Sequence, residues 1–266
     1  MGKIITVASH KGGVGKTTTT LNTGFSLSRF GQKVLLVDSD PQGGMAVASN
    51  LKRRTDKGLI HLLKGEVKAE QAVVATKDKR MGVLGSGVAE PDDVFLFERE
   101  ARKGTLGKII TAIAEKFDYT FIDAPAGLGG IVTSLLSCSH SVLIPVNCSS
   151  ISVRTLPVFL KLIQKVREKF NPSLMIEGIL MTLVDDSDSC LAVFEEVQNS
   201  FPPGVVLDTH IPYDEAFEQA GLKSIPAGML TGGEHAAQVY MNLAMELKTR
   251  EMNAAIKEKE EDEGLF

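Results

Sequence analysis

A chain of 266 residues with 43% hydrophobic content is long enough for one sizeable α/β core, and one domain suffices to house it. The formal net charge of −4 excludes a global basic field, so an anionic partner would have to be met by a local patch. Three cysteines, Cys138, Cys148 and Cys190, have no paired spacing; they suit a reducing cytosol and give no support to a metal-cluster role.

The first apolar run, "IITVA", lacks the length and the cleavage site of a secretory signal. Nothing in the chain approaches the roughly 20 apolar residues of a membrane span. "MGKIIT" matches the myristoylation pattern at Gly2 and Thr6, but those residues are required as a buried strand by the loop that follows. Short apolar runs then alternate with longer amphipathic ones. Strands are expected at 3–8, 33–38, 81–86, 119–124, 141–146, 176–184 and 204–211, several of them apolar throughout, as strands buried on both faces are. The alternation predicts an α/β fold, a doubly wound and mostly parallel sheet with helices on both faces. One domain spans 1–250, and the charged stretch 251–266 is expected to fray.

Between the first strand and the first helix stands "KGGVGKTT", residues 11–18. Gly12, Gly13 and Gly15 let the backbone around Val14 turn so that successive N–H groups face phosphate oxygens, and the helix N-terminus through Thr18 adds its partial positive charge. Lys16 is placed for β- and γ-phosphates, and the Thr17 hydroxyl for Mg²⁺. At the end of the second strand, "VDSDPQGG" carries Asp38 and Asp40, two apart and so expected to point the same way toward Mg²⁺ and water. At the end of a later strand, "YTFIDAPAGLGG" places Asp123 as a carboxylate that holds Mg²⁺ through water, followed by Gly127, Gly129 and Gly130 in a segment able to move when the γ-phosphate leaves.

The standard phosphate loop has glycine where this chain has His10, and the early lysine, Lys11, is one more than such a loop needs. In these residues, and in the D-x-D-P-Q-G stretch ending at Gly43, the chain resembles the ParA/MinD family of deviant Walker A ATPases, on the ParA/Soj side. The likeness continues through 170–186, 205–226 and 236–247, so it covers essentially the whole chain. It implies a P-loop NTPase fold, ATP and Mg²⁺ as ligands, and an ATP-dependent homodimer in which Lys11 touches the partner subunit's nucleotide. It implies that Asp40 orients the attacking water, that Asp38 stands behind the magnesium ligands, and that Pro212 and Asp214 hold the adenine. A partner protein that stimulates hydrolysis, a cargo to be segregated or positioned, and cytoplasmic localisation with nucleoid association follow from the same resemblance.

Two departures bear on the surface such a dimer would hold. Tyr213 and Ser187 stand where ParA relatives carry DNA-binding arginines, leaving Arg154, Lys161, Lys165, Arg167 and Lys169 on one amphipathic stretch, with Lys223, Lys248 and Arg250 later. The MinD branch uses a basic C-terminal helix to reach membrane. Residues 246–266 here carry four basic and seven acidic side chains, so no membrane partner is expected. A nitrogenase-type reductase or metal-cluster ATPase would need cysteines between 123 and 137, and there are none. A regulator acting on a protein landmark without DNA is the alternative reading; a kinase or synthetase would need a second substrate motif.

Overall fold

The computed structural model describes residues 2–45, 57–76 and 79–263, with side chains as far as 256. Strands β1 (Lys3–Val7), β2 (Val34–Asp38), β3 (Val73–Ala75), β4 (Met81–Leu84), β5 (Tyr119–Asp123), β6 (Ser141–Asn147), β7 (Met175–Val184) and β8 (Ile211–Pro212) form one sheet in the order β3-β4-β2-β5-β1-β6-β7-β8. Every pairing in it is parallel except β3 with β4. The central strands read as unbroken aliphatic runs because helices cover both faces. Alternation sends neighbours to opposite sides. Ile4, Leu35 and Val37 join one core with Phe97, Ile110, Leu135 and Phe159, whereas Ile5, Val7 and Leu36 join the other with Leu21, Tyr240 and Leu243.

The first of these faces is built by α4 (Pro91–Arg102), α5 (Thr105–Ala114), α6 (Gly130–Ser137), α7 (Ser150–Lys169) and α8 (Asp188–Ser200), with α2 (Leu59–Leu63) and α3 (Ala69–Ala72) at the margin. The opposite face is built by α1 (Lys16–Arg29) and α10 (Glu234–Glu263), with α9 (Glu215–Lys223) beside them. Chain order reverses about β1, which lies between β5 and β6, and crevices for ligands in such sheets open at the carboxyl ends of the strands at that reversal.

Three expectations meet a different structure. Within 204–211 the ladder is reduced to two points: Val206 bridges to Ile179, whose amide donates to the Val205 carbonyl and whose carbonyl accepts from the Leu207 amide, and Ile211 pairs with Thr182. Elsewhere in the stretch the partners come from α10: Glu246 accepts from the Asp208 and Thr209 amides (3.0 and 2.9 Å), and Arg250 donates to the Gly204 carbonyl (2.6 Å). The antiparallel edge strand β3 has no sequence signal, since three residues are too few to show a period. The segment after 250, expected to fray, is helix as far as Glu263, and the Tyr119 hydroxyl donates to Glu251 on it.

Gly24 sets how closely α1 docks on β2. A Cβ there would lie 2.4 Å from Leu36 Cδ2 and 3.3 Å from Val34 Cγ1, both fully buried. Gly24→Val should therefore destabilise the fold by about 1–3 kcal/mol through overpacking. Urea unfolding of both proteins checks this; an unchanged midpoint would show that α1 can shift at no cost.

Candidate functional site

The loop leaving β1 is pinned at three points. The Ala8 amide donates to the Leu143 carbonyl on β6, Thr182 Oγ1 of β7 donates to the Val14 carbonyl (3.1 Å), and the Gly127 amide donates to the Ser9 carbonyl. Gly13 and Gly15 have φ of +73° and +79°, the left-handed region that a side chain resists. Gly15 is the N-cap of α1 and offers no side-chain acceptor, so the first amides of the helix remain open to an anion.

Lys16 begins α1. Burial lowers its pKa, and the charges of Asp123 and then Asp40 work against that shift. Its Nζ makes no hydrogen bond among the described residues, which leaves an ammonium poised between carboxylates and the open loop. Thr17 Oγ1 donates to Asp123 Oδ2 (2.6 Å). Asp123 Oδ1 is buried with no partner in the described structure. Burial first, then the nearby charge of Asp38, pushes the Asp123 carboxyl up to about 8, although its bond to Thr17 and the Lys16 charge oppose the shift. An orphaned carboxylate oxygen beside a hydroxyl, with further carboxylates near, is a hard oxygen set of the kind Mg²⁺ takes.

Asp38 and Asp40 do not act as a matched pair. Strand β2 ends at Asp38, so the alternation that would align the two stops there. Asp38 is fully buried, its Oδ1 accepting from the Asp40 amide (3.2 Å) and its Oδ2 from the Met45 amide (2.9 Å). It shapes the 38–45 turn, which brings Gly44 against Thr17. Asp40 accepts from the Gln42 amide (2.9 Å) and is half-buried near Lys16.

Lys11 is held by another element, its Nζ donating to Ser149 Oγ (3.2 Å) at the N-cap of α7. Thr18 follows in the first turn of α1, its carbonyl accepting from Asn22 Nδ2. On the other flank, Pro212 sits in β8 and Asp214 caps α9, one oxygen on the Ala216 amide (2.8 Å) and the other on His235 Nδ1 (3.2 Å). Ser187 is spent in the same way, capping α8 at Cys190, while Tyr213 is exposed. Sequence reasoning missed Thr182, Ser149 and Asn147. Thr182 carried a signal, as a polar residue inside the apolar run "GILMTLV".

A glycine loop between strand and helix, a lysine at the helix start, a following threonine bonded to a strand-end aspartate: these define a P-loop nucleotide-binding protein. A family model described as an AAA domain matches residues 2–176. The sporulation initiation inhibitor protein Soj of Bacillus subtilis (strain 168) is 33% identical over 253 residues, 93% of this chain and 98% of its own. Among solved structures, the cell division ATPase MinD of Pyrococcus furiosus is similar with a TM-score of 0.78 at 27% identity, covering 94% of this chain and 99% of that one. Cobyrinic acid a,c-diamide synthase of Mycobacterium smegmatis, solved with an ATP analog and magnesium, is similar with a TM-score of 0.75 at 28% identity, covering 92% and 93%. This chain belongs to the ParA/MinD family of P-loop ATPases.

The state of Asp123 has a measurable signature without nucleotide or metal. With its folded pKa at about 8 against an ordinary 3.8, the folded form holds a proton that the unfolded chain releases. Stability therefore falls as pH rises from about 4 to about 8 and is flat beyond, so far as this group contributes. Asp123→Asn removes that term. Its melting temperature relative to wild type, in EDTA, should be unchanged near pH 4 and should climb toward pH 8; a difference independent of pH would contradict the assignment.

Proposed function

We propose that this chain is a ParA-type ATPase that closes into an ATP-dependent sandwich dimer and uses hydrolysis to segregate or position a cargo in the cytoplasm. The observation that carries it is the convergence of Lys16, Thr17, Asp40 and Asp123 at the mouth of the β1–α1 loop, in a chain that aligns along nearly its full length with Soj. Residues 11–18 would hold the triphosphate, with the loop amides and Lys16 neutralising β- and γ-phosphate charge. Thr17 and Asp123 would hold Mg²⁺, which when bound supplies positive charge to the phosphates, while Asp38 keeps the 38–45 turn in place. Asp40 would orient the water that attacks the γ-phosphorus, breaking its bond to the β,γ-bridging oxygen and leaving ADP and phosphate. Lys11 would reach the partner subunit's nucleotide, and Pro212 with Asp214 would border the adenine. A partner protein would trigger turnover.

The exposed side of α7 is the favoured contact for DNA: Arg154, Lys161, Lys165, Arg167 and Lys169 all face solvent on it. Two protomers would double that patch. Nonspecific binding of this kind is counterion release, with log affinity falling at about 0.9 per neutralised phosphate against log salt.

Three outcomes test the scheme. Lys16→Ala should lose ATP binding by calorimetry. Lys11→Ala should bind ATP as a monomer yet need about ten- to a hundredfold more protein to dimerise in sedimentation with ATP and Mg²⁺, since a charge-assisted contact of roughly 1.5–3 kcal/mol is removed; dimerisation at the wild-type concentration would refute its role. Asp40→Ala should accumulate as a dimer with slow turnover. That dimer should bind DNA at 50 mM salt and lose about three decades by 200 mM if it touches roughly six phosphates. No binding at 50 mM would point to a protein landmark instead.

A further inference from the structure

The strand register brings together two polar groups 138 residues apart. Parallel pairing of β1 with β6 sets Val7 beside Leu143, so the loop that leaves β1 runs alongside the carboxyl end of β6. There β6 ends at Asn147 and α7 begins at Ser150, with Ser149 as its N-cap. Lys11 meets this corner rather than a carboxylate: among the described residues it forms no ion pair, and its Nζ donates to Ser149 Oγ at 3.2 Å.

A hydroxyl has one proton and two lone pairs, and those of Ser149 are fully assigned. The proton goes to Asn147 Oδ1 (3.2 Å) or to Ser152 Oγ (3.1 Å), and Ser152 Oγ donates in turn to Asn147 Oδ1. One lone pair accepts the Ser152 amide (3.3 Å), and the other accepts Lys11 Nζ. The carbonyl oxygen of Asn147 can only accept, so both hydroxyl protons are drawn toward it and away from the ammonium. The corner is polarised to receive a cation.

We propose that Ser149, oriented by Asn147 and Ser152, is a positioning residue that latches Lys11 within its own protomer and so sets how readily two protomers close on ATP. The regulatory half of this rests on the cross-interface role proposed above for Lys11; the latch itself does not. A neutral hydroxyl holds an ammonium less strongly than a carboxylate would, so a phosphate can win it away. Until one does, the fraction of protomers with Lys11 released scales the apparent dimer affinity.

The latch is read directly in nucleotide-free protein whose lysines carry reductively added ¹³C-methyl groups, the Lys11 signal being identified by its loss in Lys11→Arg. Ser149→Ala should shift that signal, and the remote Ser200→Ala should not; an unmoved signal in Ser149→Ala overturns the latch. The consequence is read by sedimentation with a non-hydrolysable ATP analogue and Mg²⁺. Ser149→Ala should dimerise at about fivefold lower concentration. Ser149→Asp retains a good helix cap but holds the ammonium harder, and should need about tenfold more protein. Ser149→Thr, which keeps both the cap and the acceptor, should stay within roughly twofold of wild type. All three should lose these differences when combined with Lys11→Ala. Wild-type dimerisation by both Ser149→Ala and Ser149→Asp, or a spread that persists without Lys11, overturns the regulatory role. Wild-type dimerisation by Lys11→Ala alone instead overturns the cross-interface reading, and leaves the methyl-lysine result to stand for the latch.

Discussion

Two carboxylates that cannot both be comfortable lie side by side at the centre of this molecule. The register of β2 against β5 pairs Asp38 with Asp123, and both are buried. The protein treats them unequally. Asp38 receives two backbone amides, while at Asp123 burial and then the charge of Asp38 push the carboxyl up. One oxygen of Asp123 leans on Thr17 and the other has nothing. Lys16, the nearest cation, is itself held back by burial. The site is therefore built with unsatisfied demand for positive charge, and a metal bound beside Asp123 would relieve a strain present in its absence. Occupancy and stability are coupled by the same few atoms.

The surroundings keep those atoms where they are. The close approach of Gly24 to β2 fixes the axis of α1, and hence where Lys16 and Thr17 project. Thr182 reaches from β7 to the Val14 carbonyl, and Gly127 ties the segment after Asp123 to Ser9 at the start of the loop. The segment after Asp123 and the phosphate loop are thus joined directly by one hydrogen bond, from the Gly127 amide to the Ser9 carbonyl.

Much of this is legible in the amino-acid sequence. The parallel core could be read because its strands are aliphatic on both faces, and the phosphate loop because its glycines, lysine and threonine are local in sequence and each has a chemical reason to be there. Harder to read was whatever depends on where a strand stops. A spacing of two suggested that Asp38 and Asp40 share a direction, but the strand ends between them, and one carboxylate turns inward to hold the turn while the other faces Lys16. Ser149 and Thr182 act through partners more than a hundred residues away, which no local pattern encodes. The stretch 204–211 reads as a strand, yet its ladder is reduced to a bridge to Ile179 and the pairing of Ile211, while Glu246 and Arg250 serve as partners for Asp208, Thr209 and Gly204.

The two margins of the sheet constrain how the molecule can associate. One is β3, three residues long and reversed against its neighbour; the other is β8, two residues long and ended by Pro212 and the cap at Asp214. Neither presents a run of free amides and carbonyls on which a further strand could template. Among the described residues, neither margin favours growth of the sheet across molecules, the common route to fibrils and to swapped or stacked oligomers. In the dimer proposed above, contact between copies would be left to groups outside the sheet, which can be made and broken by a change of charge at one end of the strands without unzipping a ladder.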